Sequence, residues 1–211
     1  MNTNDAIDLY FEEKRRIIDN FPRTQLAQVV EMLFDVYDSG GTVYIMGNGG
    51  NAGTMDHLYC DFRHHPFVSE DKGRPLPEGV KRLNMVNLCG SAAELTGLVN
   101  DLGVEHMYSG ALAPWVTADD LVMGYSGSGN SANVVNALQV AKDKGAKTFS
   151  MAKGSGGRCL TVADVCIVVP GTSNFPGQTG PNDNNFHFED AILAVNHIML
   201  GLLKARVAEG L

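Results

Sequence analysis

The chain has 211 residues, 44% of them hydrophobic, enough for one full α/β domain with helices to spare. Its formal net charge of −8 and pI near 5.1 argue against broad attraction to nucleic acid, which depends on Lys and Arg neutralising phosphates. The start, Met1 to Asp8, is acidic and lacks the basic and apolar regions of a signal peptide, and apolar stretches break before the roughly 20 residues of a membrane helix. A cytoplasmic protein without membrane or direct nucleic-acid contact is therefore expected. Cys60, Cys89, Cys159 and Cys166 form no Cys-x-x-Cys pair, so they read as reduced thiols rather than a zinc knot.

In chain order, two segments of helical period come first, at about 4–20 and 24–38, the second with Leu26, Val29, Val30, Leu33 and Val36 on one side. Five short apolar runs follow as strand candidates: Thr42 to Met46, Met85 to Leu88, Leu121 to Tyr125, Thr148 to Met151 and Val165 to Val169. They lack strict alternation, the mark of strands covered on both faces. A clear helix spans Asn130 to Lys144, with Gly145 placed to end it, and a long helix closes the chain from about Asn184 to Val207. Parallel strands joined by helices follow from this alternation. The stretches Val68 to Lys81 and Pro170 to Asn184 read as loops, the latter either a functional lid or a surface excursion. Helices beyond what the sheet needs for cover point to subunit association.

Two strands run into glycine turns that open helices. The second, Ser126-Gly-Ser-Gly-Asn-Ser131, offers the hydroxyls of Ser126, Ser128 and Ser131, while Gly127 and Gly129 let a ligand approach the backbone. Hydroxyls, freed N–H groups and a helix start can hold a phosphate without a Walker lysine. The first loop supplies Asn48, Gly49, Gly50 and Asn51. Gly47, Gly49 and Ala52 come near a dinucleotide fingerprint, but Asp71, at the spacing of the ribose-binding acid, lies in a loop, so no nucleotide cofactor is expected. The ligand read from these loops is an anionic small molecule.

His57 and Asp61 stand four residues apart and share a helix face, with His64 a further turn along. Imidazole and carboxylate at that spacing can ligate zinc or another divalent metal, with Glu189 as third ligand, or can simply pair with each other on the surface.

The motifs Gly47-Asn-Gly-Gly-Asn-Ala52, His57 with Asp61, Asn100-Asp101, the serine loop, Ala163-Asp-Val-Cys166 and His197-Ile-Met resemble the sugar isomerase (SIS) family, and within it phosphoheptose isomerases, over about residues 25–203. The resemblance implies a flavodoxin-like α/β fold: a five-stranded parallel sheet with helices on both faces, extra N-terminal helices and a long C-terminal helix. It implies one SIS domain over 1–211, with about 1–38 a helical extension used in oligomerisation, and a homotetramer with sites at subunit interfaces. The family pattern carries His-x-x-x-Glu and Gln-Glu-x-His. Here Asp61 stands for Glu, Glu189 for Gln, Asp190 for Glu and Ile192 for the second His; Ser91 stands for an Asp, Asn51 for a Ser and Gly127 for a Thr. The implied activity is aldose–ketose isomerisation of a phosphorylated or similarly anionic sugar through an enediolate. Asp61 is the first candidate base and Glu189 its rival, with His187, His57 or a metal handling the hydroxyl proton. A non-catalytic sugar-phosphate-binding or regulatory protein is the alternative, and a lyase a third possibility.

Overall fold

The computed structural model describes residues 1–69, 73 and 79–209. Asp71 and part of the expected 68–81 loop lie outside the described residues.

The five expected strands form one parallel sheet, each within one or two residues of its expected bounds: β1 (Thr42–Gly47), β2 (Asn84–Asn87), β3 (Leu121–Tyr125), β4 (Lys147–Lys153) and β5 (Val165–Val169). Their order is β2-β1-β3-β4-β5. The chain leaves β1 for one edge and returns on the other side of it as β3, so the connections diverge between these two central strands. In open α/β sheets, ligands bind at the carboxyl ends of the strands at that reversal. Both glycine loops begin there, since Gly47 at the end of β1 pairs in register with Tyr125 at the end of β3.

Neighbouring residues of each strand serve opposite cores, which is why the strands read as unbroken apolar runs. Val43, Ile45 and Met123 join one core with Leu33 of α2 (Arg23–Ser39), Met55 and Phe62 of α3 (Gly50–His64), and Ile192 and Met199 of the C-terminal helix. Tyr44, Met46 and Val122 join the other with α5 (Met107–Leu112) and α6 (Ala132–Asp143). Each fully buried Leu or Phe here contributes about 2 kcal/mol by leaving water. Two shorter helices, α4 (Ala92–Leu102) and α7 (Cys159–Val162), complete the cover before the last helix, α8 (Asn185–Glu209).

The two N-terminal helices differ in kind. The five apolar residues expected on one side of α2 are all buried, so this helix is part of the domain core. In α1 (Thr3–Asp19) only Glu13 and Ile17 are buried, whereas Ile7, Phe11 and Ile18 are about half exposed. The segment between β5 and α8 is held in place: Glu13 accepts hydrogen bonds from Ser173 Oγ (2.6 Å) and Asn174 N–H (2.7 Å).

α8 is long and apolar enough to cross a bilayer by length and composition, because its charges cluster at its two ends. Its apolar residues divide between the core, through Phe188, Ile192, Val195, Met199 and Leu203, and the exposed side chains Leu193, Ile198 and Leu202.

Candidate active site at the sheet reversal

The serine loop is built as an interlocked turn. Ser126 is buried; its Oγ donates to Ser131 Oγ (2.8 Å), the N-cap position of α6, and Ser128 Oγ accepts from Asn130 N–H (3.2 Å). Strand β4 extends past the loop and grips it, with Ser126 N–H donating to Met151 O (3.1 Å) and Lys153 N–H to Gly127 O (3.0 Å). Gly129 has φ +67°, and a Cβ there would lie 2.0 Å from Gly156 O, so only glycine lets the turn after β4 dock. Asn130 Oδ1 accepts from Arg158 N–H (3.0 Å) and closes the clamp.

The first loop is anchored from the other core. Tyr108 Oη donates to Gly47 O (2.5 Å), and Cys89 Sγ lies 3.3 Å from both Gly47 N and Gly47 O. Burial pushes both the Tyr108 hydroxyl and the Cys89 thiol up in pKa, which favours their protonated, hydrogen-bonding forms. Asn48 and Asn133 exchange two amide hydrogen bonds (3.0 and 2.9 Å), joining the first loop to the helix that follows the second. Asn51 Oδ1 is buried with no hydrogen-bond partner. Ser91, after β2, caps α4 by accepting from Glu94 N–H (3.1 Å).

The first turn of α8 bridges the two loops. A Cβ at Gly50 would lie 2.9 Å from Glu189 Oε1, which places that carboxylate over the start of α3, where freed N–H groups favour an anion. Asn185 Nδ2 donates to Glu189 Oε1 (3.1 Å). On the other side, a Cβ at Gly127 would lie 3.3 Å from Asn185 Oδ1 and 3.4 Å from Lys153 Cε.

Helices α3 and α8 run side by side from this point, and two turns down they bring together His57, Asp61 and His197. His57 Nε2 is 3.1 Å from Asp61 Oδ2 and 3.2 Å from His197 Nε2, and His197 Nε2 is 3.9 Å from Asp61 Oδ2. One ligand atom from each lies within 4.8 Å of the others, a two-nitrogen, one-oxygen donor set of the kind that suits zinc. His65 approaches Asp61 Oδ1 from the other side at 3.7 Å.

Three expected placements change. Glu189 lies outside this donor group, turned toward Gly50 and Asn185, and His197 stands in the third position assigned to it. Ile192, where the motif register puts the second His, is fully buried on the core face, and the α8 imidazole that reaches α3 is His197. His187, a candidate for the hydroxyl proton, is turned away from these groups: it is buried in the first turn of α8, with Nε2 3.1 Å from Glu13 Oε2 and its ring 4.2 Å from the Tyr10 ring. It is thereby spent on holding α1, as is Asp190, which accepts from Tyr10 Oη (2.7 Å) and Lys14 Nζ (2.8 Å). Reading by motif passed over Lys153 and Asn185. Their available signals were a basic residue closing β4 and an amide one turn ahead of Glu189.

Two glycine loops at a sheet reversal, a turn rich in hydroxyls and a His/Asp/His group thus lie along α3 and α8, the arrangement of a sheet-end site in an α/β enzyme. No family model matches the chain. The fold overlays on phosphoheptose isomerase from Neisseria gonorrhoeae with a TM-score of 0.78, covering 97% of this chain and 100% of that one at 20% identity. In sequence it is 31% identical over 182 residues to phosphoheptose isomerase from Chlorobaculum parvum, covering 85% of this chain and 78% of the relative. It is 34% identical over 171 residues to the protein of that name from Syntrophotalea carbinolica, covering 80% and 82%. The chain belongs to the phosphoheptose isomerase family, a group of sugar-phosphate isomerases with the SIS fold.

Proposed function

We propose that the chain interconverts the aldose and ketose forms of a phosphorylated sugar, with the phosphate at Ser126, Gly127, Ser128 and Ser131 and the carbon chain reaching along α3 toward His57, Asp61 and His197. The observation that carries this reading is the meeting of His57, Asp61 and His197 on the two helices that also line the glycine loops. His57 lies seven residues beyond Gly50, about 10 Å along the helix axis, a span suited to an extended sugar phosphate rather than to a compact anion. Asn48, Gly49, Gly50 and Asn51 border the path between, and Ser91 flanks it from the β2 side.

In the reaction, Asp61 moves a proton between adjacent carbons. Its Oδ2 faces His57, while Oδ1 is held more loosely at 3.7 Å from His65. His57 or His197 transfers the hydroxyl proton, since an imidazole both gives and takes a proton near neutral pH. Glu189 and Asn185 orient sugar hydroxyls between the two loops. Were zinc held by His57, Asp61 and His197, it would supply a Lewis acid for the enediolate oxygens in place of the imidazole, and the rival carboxylate Glu189 would then move the carbon-bound proton. Family membership is consistent with a reaction that uses no nucleotide cofactor. His187 plays a structural part.

Association of four copies is part of the same reading. It is supported by the exposed Ile7, Phe11 and Ile18 on α1 together with Leu193, Ile198 and Leu202 on α8. A cytoplasmic location fits an enzyme of small phosphorylated metabolites.

The test is incubation in deuterated water with a panel of ketose and aldose phosphates, sedoheptulose 7-phosphate first, following carbon-bound proton exchange by NMR. Exchange and product from a sugar phosphate are expected. No exchange on any of them, with and without added zinc, removes the isomerase and leaves a binding protein.

A further inference from the structure

We infer that Lys153 is the cation that recognises the phosphate of the sugar, a specificity residue supplied by β4 rather than by the serine loop itself. The inference rests on the sugar-phosphate reading of that loop and adds its charged partner.

The geometry begins with Gly127. Its carbonyl accepts the Lys153 N–H at 3.0 Å, so the Lys153 backbone is fixed against the loop. The Lys153 side chain then passes over Gly127, with Cε 3.4 Å from where a Cβ would be, beside Asn185 Oδ1 at 3.3 Å from the same point. A Thr at this position, as in the family pattern, would project its hydroxyl into the space these two side chains use. The chain has exchanged a neutral hydroxyl on the loop for an ammonium and an amide that reach the same place from β4 and α8.

The charge balance gives the exchange a purpose. A phosphate monoester carries close to two negative charges at neutral pH. Ser126, Ser128, Ser131 and the loop N–H groups are all neutral, and the Glu189 carboxylate stands close by, 3.1 Å from Asn185. A phosphate beside that carboxylate is opposed unless a cation is present. Lys153 Nζ donates to Pro181 O (3.0 Å), an exposed neutral acceptor, and among the described residues no carboxylate oxygen pairs with it within 4.0 Å. The ammonium already makes a charge-assisted bond to this carbonyl, and trading the neutral acceptor for a dianion adds the attraction between opposite charges. Lys153 therefore gains by leaving Pro181, which sits in the short turn Gly180–Asn182 ahead of α8.

Calorimetric titration of the intact protein with inorganic phosphate, and steady-state kinetics with sedoheptulose 7-phosphate, are compared for the unaltered chain, Lys153→Met and Lys153→Arg. Lys153→Met is expected to weaken phosphate binding and raise KM about tenfold, as the loss of one charge-assisted contact requires, with kcat changed less than about threefold. Lys153→Arg is expected to recover most of both losses. Unchanged phosphate affinity in Lys153→Met overturns the inference. So does a loss that Lys153→Arg fails to recover, because packing over Gly127 would then be what matters. Phosphate binding that depends on Lys153 without turnover of any sugar phosphate keeps the inference and removes the isomerase reading.

Discussion

His57 Nε2 and His197 Nε2, 140 positions apart in the chain, face each other at 3.2 Å with Asp61 Oδ2 3.1 Å from the first. Two imidazole nitrogens at that distance either share one proton or bind a common cation, and the carboxylate favours both arrangements. His197→Ala is expected to weaken zinc binding by at least about tenfold, the range seen when a metal site loses even a supporting group, so that metal loaded at one equivalent is lost on gel filtration. Atomic emission after gel filtration measures it. Retention of stoichiometric zinc by His197→Ala would show that the metal sits elsewhere.

Asp61 and Ser131 are assigned different tasks and separate kinetically. Asp61→Asn keeps size and hydrogen bonding but removes the base, so kcat should fall by about 100-fold or more with KM little changed. Ser131→Ala removes one uncharged donor of the cradle and should raise KM severalfold, a loss of about 1 kcal/mol, with kcat largely kept. Equal effects on both parameters in both variants would dissolve the division of labour.

The anchor between α1 and α8 sets an acid limit on stability. Burial alone would raise the Glu13 carboxyl, but hydrogen bonds from Ser173, Asn174 N–H and His187 outweigh it and hold the group below its ordinary value of 4.5. A depressed folded pKa means stability that is present above the unfolded value and lost as pH falls through the folded one. Thermal melts should therefore decline below about pH 4.5. Glu13→Gln should cost about 1–3 kcal/mol near neutrality and flatten that decline. Asp190, held low against its own burial by Lys14 and Tyr10, leaves a residual slope. A Glu13→Gln melt as steep with pH as that of the unaltered chain would place the acid sensitivity elsewhere.

Phe11 is 53% exposed and Ile198 45% exposed, on the helices expected to meet another copy. Light scattering coupled to gel filtration is expected to give a four-chain mass. The double variant Phe11→Asp, Ile198→Asp should dissociate it without unfolding, because neither side chain supports the protomer's own core. A protomer mass for the unaltered chain would leave those apolar residues without the explanation offered.

What the sequence disclosed and withheld divides along chain distance. The serine loop, α6 and the five strands were readable because each depends on neighbours a few positions away: an apolar run, a glycine turn, a 3.6-residue period. His57 with Asp61 was readable for the same reason, being one helical turn apart. His197 was not assigned a role, since α8 reads as an apolar helix and its partners lie 140 positions back. Ile192 drew attention through motif register alone, although it points into the core. His187 drew a proton-transfer role because the Glu13 contact that buries it lies 174 positions back in the chain. Lys153 and Asn185 gain meaning only when β4 and α8 meet over Gly127, a contact that no local pattern encodes. The length of α8 was likewise visible, but which of its apolar side chains face inward was set by α2 and α3.

The interlock of the two turns after β3 and β4 carries a consequence for how this pocket can be altered. A Cβ on Gly129 would strike Gly156 O at 2.0 Å, and one on Gly157 would lie 2.6 Å from Ser128 O, so each turn is the mould of the other. Libraries that randomise 126–131 alone will return mostly unfolded or silent variants. Recoding the ligand preference means transplanting both strand-to-helix turns as a single cassette.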